Sequence, residues 1–558
     1  MQEEDFQASL QWQRRIRENA SQLIRWRDPL RLDNPKARFP GFRQRIVHYR
    51  KGQCVSHGTL PLPEDLVLHE SSPMTLRDGT KLYSDIFLPP RFESLSATQD
   101  EPVPAIIAWS PYGKQGGTTH LDDFPFRAGV PKEALSDLQK WEGPDPALWC
   151  SREYAVINVD SRGAYTSEGD LFVLGHQEAE DCAEFITWVS EQPWCSGKVA
   201  LCGNSWLSII QWRVGSINNI REGLMDQYRD MTVAGGIPFY GFHEDVIKGF
   251  SGPGRLEDLS KYVIDGNDTW DDYWEDKRSH PERIIVPCYV TASWTNPVHT
   301  PGTFRAWSLL PDKTPKWLRV HNTQEWPDFY DDANQRDLLR FFDFYLHGKH
   351  DNGWDQTPRV RLSVLNLGMS HLNDTINRPE AEFPLSRTRY TKYFLSEKSL
   401  SLEAPSTFKT VAYDSATGSA VFWMEMPEDS ETTGFFKARL MMSCDEHDEM
   451  DVYVQVERFS SARKRKGTLC MKPHSGLAQL MLQYAHDWQF GLSKVGMAFH
   501  WGPSGQLRAS HALAKDEENS TEAQPDYNFD KKVPLTPGEV RALDIPLRPY
   551  GLYWKETF

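Results

Sequence analysis

The segment Lys198-Val-Ala-Leu-Cys-Gly-Asn-Ser-Trp-Leu207 holds residue types suited to nucleophilic chemistry. It reads as a short buried strand running into Gly203-Asn204-Ser205-Trp206, with a helix predicted over 207–214. A serine on a sharp strand-to-helix turn stands above the sheet edge, and a glycine two residues earlier relieves the crowding such a turn creates. The amide of Trp206 then falls at a helix N-terminus, where it can face a developing oxyanion. The pattern is short enough to arise by chance, and Leu207 stands where a second glycine is usual.

The flanking segments supply elements to hold this serine. Residues 103–109 and 154–160 are apolar runs of the kind buried on both faces of a parallel sheet. Residues 178–191 read as an amphipathic helix with Cys182, Phe185, Ile186 and Val189 on its apolar side. Strand, helix, strand, elbow, helix is the centre of a doubly wound α/β sheet. No clear apolar strand follows the elbow helix, so there the sheet is expected to hold only a short strand or to be interrupted.

From about residue 60 onward the chain resembles the cocaine esterase / X-Pro dipeptidyl-peptidase group of serine hydrolases. Residues 74–90 are similar to that group's opening strand pair. Ser110-Pro-Tyr112, Asp160-x-Arg-Gly163 and Gly203-x-Ser-Trp206 recur there in the same order, and Trp294, Trp326 and residues 341–348 also match. The resemblance implies an α/β-hydrolase sheet with a helical lid insertion and a C-terminal jelly-roll-like β-sandwich. It also implies an esterase, amidase or acyl-transfer scaffold. Ser205 would be the nucleophile, and Tyr112 would donate its phenol to the oxyanion beside the amide of Trp206.

Two departures fall on the charge-handling residues. Where members of the group carry an Asp that orients the catalytic histidine, this chain has Asn296, and Gln324 or Glu325 stands at the histidine position. Losing the orienting carboxylate costs on the order of ten-thousand-fold in a serine protease, so another base is needed. His299 and His321 both lie on loops at the edge where Ser205 projects. His299 is the expected base. Glu325 is a further candidate, either as a base or as a partner for a histidine. Either imidazole could instead cap a helix or bond a backbone carbonyl. The alternative function is a repurposed hydrolase fold, acting as a non-covalent cyclase or lyase or as a ligand-binding protein.

Composition narrows the partners. With 62 basic and 78 acidic residues the formal charge is −16, which argues against phosphate-backbone binding. A small-molecule substrate is expected, with no nucleic acid, no membrane, no cofactor and no metal, and homo-oligomers are left open. The eight cysteines form no Cys-x-x-Cys pair, and no apolar run is long enough to span a bilayer. A cytoplasmic setting is expected, with free thiols.

The expected organisation is an N-terminal helical arm over 1–60, a first hydrolase part over 61–224, a lid over 225–285, a second hydrolase part over 286–375 and the sandwich over 376–558. Trp12, Ile16, Leu23 and Trp26 would share one face of the arm helix. Aromatic residues of the lid would line an apolar pocket or form the lid's own core. Residues 512–535 read as a polar surface loop, and Arg463-Lys-Arg-Lys-Gly467 as a solvated hairpin turn.

Overall fold

The computed structural model describes residues 3–96, 101–214, 217–223, 226–366, 374–426, 428–471, 476–488 and 498–554. Eleven strands among them form one sheet. In chain order these are β1 (Arg45–Tyr49), β2 (Leu66–Thr75), β3 (Lys81–Leu88), β4 (Val103–Ser110), β5 (Ala155–Asp160), β6 (Cys195–Asn204), β7 (Ile217–Arg221), β8 (Cys288–Ser293), β9 (Lys316–His321), β10 (Val360–Val364) and β11 (Thr375–Glu380). Across the sheet they run β11-β10-β9-β8-β7-β6-β4-β5-β3-β2-β1. The strands from β5 to β10 pair in parallel, and the outer pairs are antiparallel.

Every residue of β4 and β5 is buried, as their unbroken apolar runs require when helices cover both faces. One cover is α2 (His176–Ser190), whose Ala179, Cys182, Phe185 and Val189 are buried. From β4 the chain steps outward to β5, then crosses back past β4 to β6 and continues the other way. The carboxyl ends of β4 and β6 are therefore neighbours at the point where the strand order reverses, the usual place for a site in such a sheet.

The sheet is not interrupted after the elbow helix α3 (Trp206–Val214). The short β7 pairs in parallel with both β6 and β8. Its sequence, Ile-Asn-Asn-Ile-Arg, carries no apolar run, because backbone bonding on both edges defines this strand.

The arm is not wholly helical. Arg45–Tyr49 joins the main sheet as edge strand β1, paired with β2. The arm helix α1 (Glu3–Leu23) ends before Trp26, which lies in a two-residue strand paired with Leu256–Glu257 of the lid. Ile16 and Ala20 are buried, and Asn19 donates to Asp272 of the lid at 2.7 Å.

The lid aromatics do not form a core of their own, and of them Phe250 packs against Tyr112 and Trp206. Tyr228, Tyr262, Tyr273 and Trp274 share one cluster with Trp206 and Ile209 of α3 and with Val452, Leu507, Leu543 and Ile545. The last four belong to an antiparallel C-terminal sheet of β12 (Ser430–Met442), β13 (Asp451–Gln455), β14 (Ser504–Arg508) and β15 (Arg541–Trp554), ordered β12-β15-β14-β13. Asp268 of the lid meets Arg508 at 3.0 Å and Lys532 at 2.6 Å. Residues 512–535 are less solvated than their composition suggests, since Tyr527, Phe529 and Leu535 join the same cluster. The basic run lies on a hairpin, with Arg458–Phe459 paired to Arg465–Lys466. The eight cysteines are free thiols.

Candidate active site

Ser205 sits between the last residue of β6 and the first of α3, at φ 56°. A left-handed conformation at a serine costs roughly 1–2 kcal/mol, and here the strand before it and the helix after it hold it in place. Gly203, at φ 152°, allows the turn to close, because a Cβ there would lie 2.4 Å from Leu207 Cδ2. Leu207, which replaces the second glycine of the usual elbow, fills the space beside the first. The serine stays partly exposed.

Tyr112 follows β4 by two residues and sets its phenol beside Ser205, whose hydroxyl acts on it. Its ring meets Trp206 edge-on at 6.0 Å and Phe250 at 6.0 Å. Burial pushes the phenol well above its usual pKa, so it remains an O–H donor. Trp206 is held in turn, its indole donating to Glu178 Oε1 at 2.9 Å, where Trp109 also donates at 3.1 Å. The Trp206 amide is the first of its helix and has no acceptor within it. The sequence-expected trio of Ser205, Tyr112 and Trp206 is brought together.

No hydrogen bond joins His299 to the serine among the described residues. His299 precedes helix α4 (Thr300–Leu309), its Nδ1 is buried without a partner, and burial alone pushes its pKa down to about 3. His321, at the end of β9, is engaged elsewhere. Its Nε2 meets Glu222 Oε1 at 2.7 Å, and burial likewise lowers its pKa to about 3.

Two carboxyl groups occupy the space instead. Glu325 begins helix α5 (Glu325–Phe329) and accepts from Asn296 Nδ2 at 2.8 Å. The two positions at which the resemblance implies Asp and His are thus in contact here as Asn and Glu. Glu142, which sequence reasoning missed, lies on the loop between β4 and β5, beside the nucleophile elbow. Its Oε1 accepts from Trp326 Nε1 at 3.1 Å and from Asn204 Nδ2 at 3.3 Å. Its backbone has φ 64°, and its main-chain oxygen accepts from Asn204 N at 3.1 Å. Asn204 also reaches Glu325, so this amide lies between the two carboxyls. Desolvation, then mutual repulsion, holds Glu142 well above the usual carboxylate range, and desolvation raises Glu325 to about 7.

An ion cluster braces this floor. Asp328 accepts from Arg319 at 2.9 and 2.5 Å and also pairs with Arg221, all three being buried. Arg162, in the segment after β5, pairs with Asp181 at 2.6 Å. No group of three or more metal-ligating side chains occurs among the described residues.

A nucleophile elbow at the reversal point of a mostly parallel sheet, under a helical lid and beside a β domain, defines the α/β-hydrolase class. Residues 78–220 match the X-Pro dipeptidyl-peptidase (S15 family), and residues 352–553 match the X-Pro dipeptidyl-peptidase C-terminal non-catalytic domain. A CocE/NonD family hydrolase from Staphylococcus aureus has a similar structure, with TM-score 0.77 and 25% identity over 94% of this chain and 90% of that one. The chain belongs to the cocaine esterase / X-Pro dipeptidyl-peptidase-like (CocE/NonD) family. The cocaine esterase of Rhodococcus sp. (strain MB1 Bresler) is 29% identical over 174 residues, which is 30% of this chain and only 24% of that protein. An aminopeptidase from a marine sediment archaeon, Thaumarchaeota archaeon, shares the fold at TM-score 0.60 and 14% identity, covering 88% of this chain and 87% of that one.

Proposed function

We propose that the protein is a serine-dependent hydrolase or acyl-transfer enzyme acting on an ester, amide or thioester of a mostly apolar small molecule. One observation carries the reading: a partly exposed serine on a left-handed elbow lies beside a neutral phenol and the first amide of a helix. Ser205 attacks the acyl carbon, and the Tyr112 hydroxyl and Trp206 N–H take the charge that develops on oxygen. Family membership supports the serine chemistry. The aromatic rings of Tyr112, Trp206 and Phe250 around the hydroxyl favour an apolar acyl or alcohol group. Free thiols throughout fit a cytoplasmic setting.

A second reading, a non-covalent cyclase, lyase or ligand-binding protein, is favoured by one observation: neither His299 nor His321 bonds Ser205. Treatment with a fluorophosphonate separates the two. A mass adduct on the peptide containing Ser205, absent in Ser205→Ala, supports the covalent reading. A folded sample that takes up no label supports the other.

A further inference from the structure

We infer that Glu142 is the general base toward Ser205 and that Glu325 is its partner carboxyl, an assignment that rests on the serine reading above. The geometry has the three parts such a device needs: nucleophile, base and orienting groups. The Glu142 carboxyl lies beside the elbow, bonded by the side chain of Asn204, the residue before Ser205, and its field acts on the Ser205 hydroxyl. Trp326 and Asn204 fix its Oε1 at 3.1 and 3.3 Å, and Oε2 is buried with no hydrogen-bond partner among the described residues. The bond from Asn204 N to the Glu142 main-chain oxygen ties the base to the residue before the nucleophile. The left-handed backbone of Glu142 is a local strain of the kind that gathers at functional sites.

The step balances without another reactant. Ionised Glu142 accepts the hydroxyl proton as Ser205 Oγ bonds to the acyl carbon. The carbonyl electron pair moves to oxygen, held by the Tyr112 hydroxyl and the Trp206 N–H. When the oxyanion collapses, the bond to the leaving group breaks and Glu142 returns the proton to it. Water then repeats the sequence on the acyl-serine and releases the acid.

The groups facing Glu142 are Glu325 from α5, Tyr112 from the loop after β4 and Tyr330 from beyond α5. Glu325 faces Asn296, Arg221 and Glu222. Two buried carboxyls joined by one amide titrate as a pair, Glu325 ionising first near 7 and Glu142, the more strongly raised, at higher pH. The base form therefore builds as pH rises.

The test is the rate of fluorophosphonate labelling against pH for wild type, Glu142→Gln, Glu142→Asp and Glu325→Gln, with circular dichroism to confirm folding. Glu142→Gln should label at least ~100-fold more slowly, with partial recovery in Glu142→Asp. Glu325→Gln should still label, with its midpoint moved to lower pH because the repelling carboxyl is gone. Labelling of folded Glu142→Gln at the wild-type rate, or an unmoved midpoint in Glu325→Gln, overturns the assignment and leaves the serine reading standing. Wild type that takes no label overturns both.

Discussion

Restoring the acid that the family usually carries at position 296 should harm this protein, and the harm should grow with pH. Asn296 Nδ2 lies 2.8 Å from Glu325 Oε2, both residues being buried. Asn296→Asp replaces that donor with a second carboxyl. Two charges at that separation repel by about 6 kcal/mol at an effective dielectric of about 20, roughly four pK units. The new Asp keeps the amides of Val298 and His299 as donors, at 2.9 and 3.1 Å from residue 296, so it is the group that ionises. Glu325 must then hold its proton. In the wild type Glu325 is raised above its unfolded value to about 7, so stability falls as pH climbs toward 7 and then levels off. In Asn296→Asp the fall should continue past 7, by about 1.4 kcal/mol per pH unit, up to the repulsion ceiling. Urea unfolding at pH 6, 7.5 and 9 measures this. The gap between variant and wild type should widen by about 2–3 kcal/mol from pH 7 to 9. A constant gap, or one that closes at high pH, would refute the coupling of these two positions.

Other substitutions probe the remaining parts of the site. Tyr112→Phe should lower kcat by about 10²–10³ with little change in KM, since it removes a donor used mainly in the transition state. Asp328→Ala leaves Arg221 and Arg319 buried without their counter-ion and should cost about 3–5 kcal/mol in urea unfolding. His299 is depressed to about 3, so the unfolded chain gains a proton near pH 6.5 and the folded chain does not. Wild-type stability should therefore fall by about 1.4 kcal/mol per unit below pH 6.5 on this account, and His299→Gln should lose that slope without changing the pH profile of Ser205 labelling.

Much of this was legible in the residues. Strands β4 and β5 announce themselves because both faces are covered, which demands unbroken apolar runs. Ser205 could be found because an elbow needs a small residue two positions before it, and Gly203 meets that need against Leu207. The replaced positions at Asn296 and Glu325 could be read by spacing, and they do touch. Glu142 could not be read. It lies on an irregular loop with no periodicity, and only the tertiary fold brings it beside Asn204 and Trp326. His299 shows the converse limit. Its place in the chain points to the right sheet edge, but distance along a strand end does not fix where a ring nitrogen faces. The fate of the lid aromatics also depended on a distant segment, the sheet of β12 to β15.

That shared cluster has a consequence for traffic. The cap above the nucleophile is no hinged flap, because its rings are interleaved with the carboxy-terminal strands and clamped by the Asp268 bridges. To swing it aside would mean tearing open a hydrophobic interior. Heat should therefore release cap and carboxy-terminal strands in a single step.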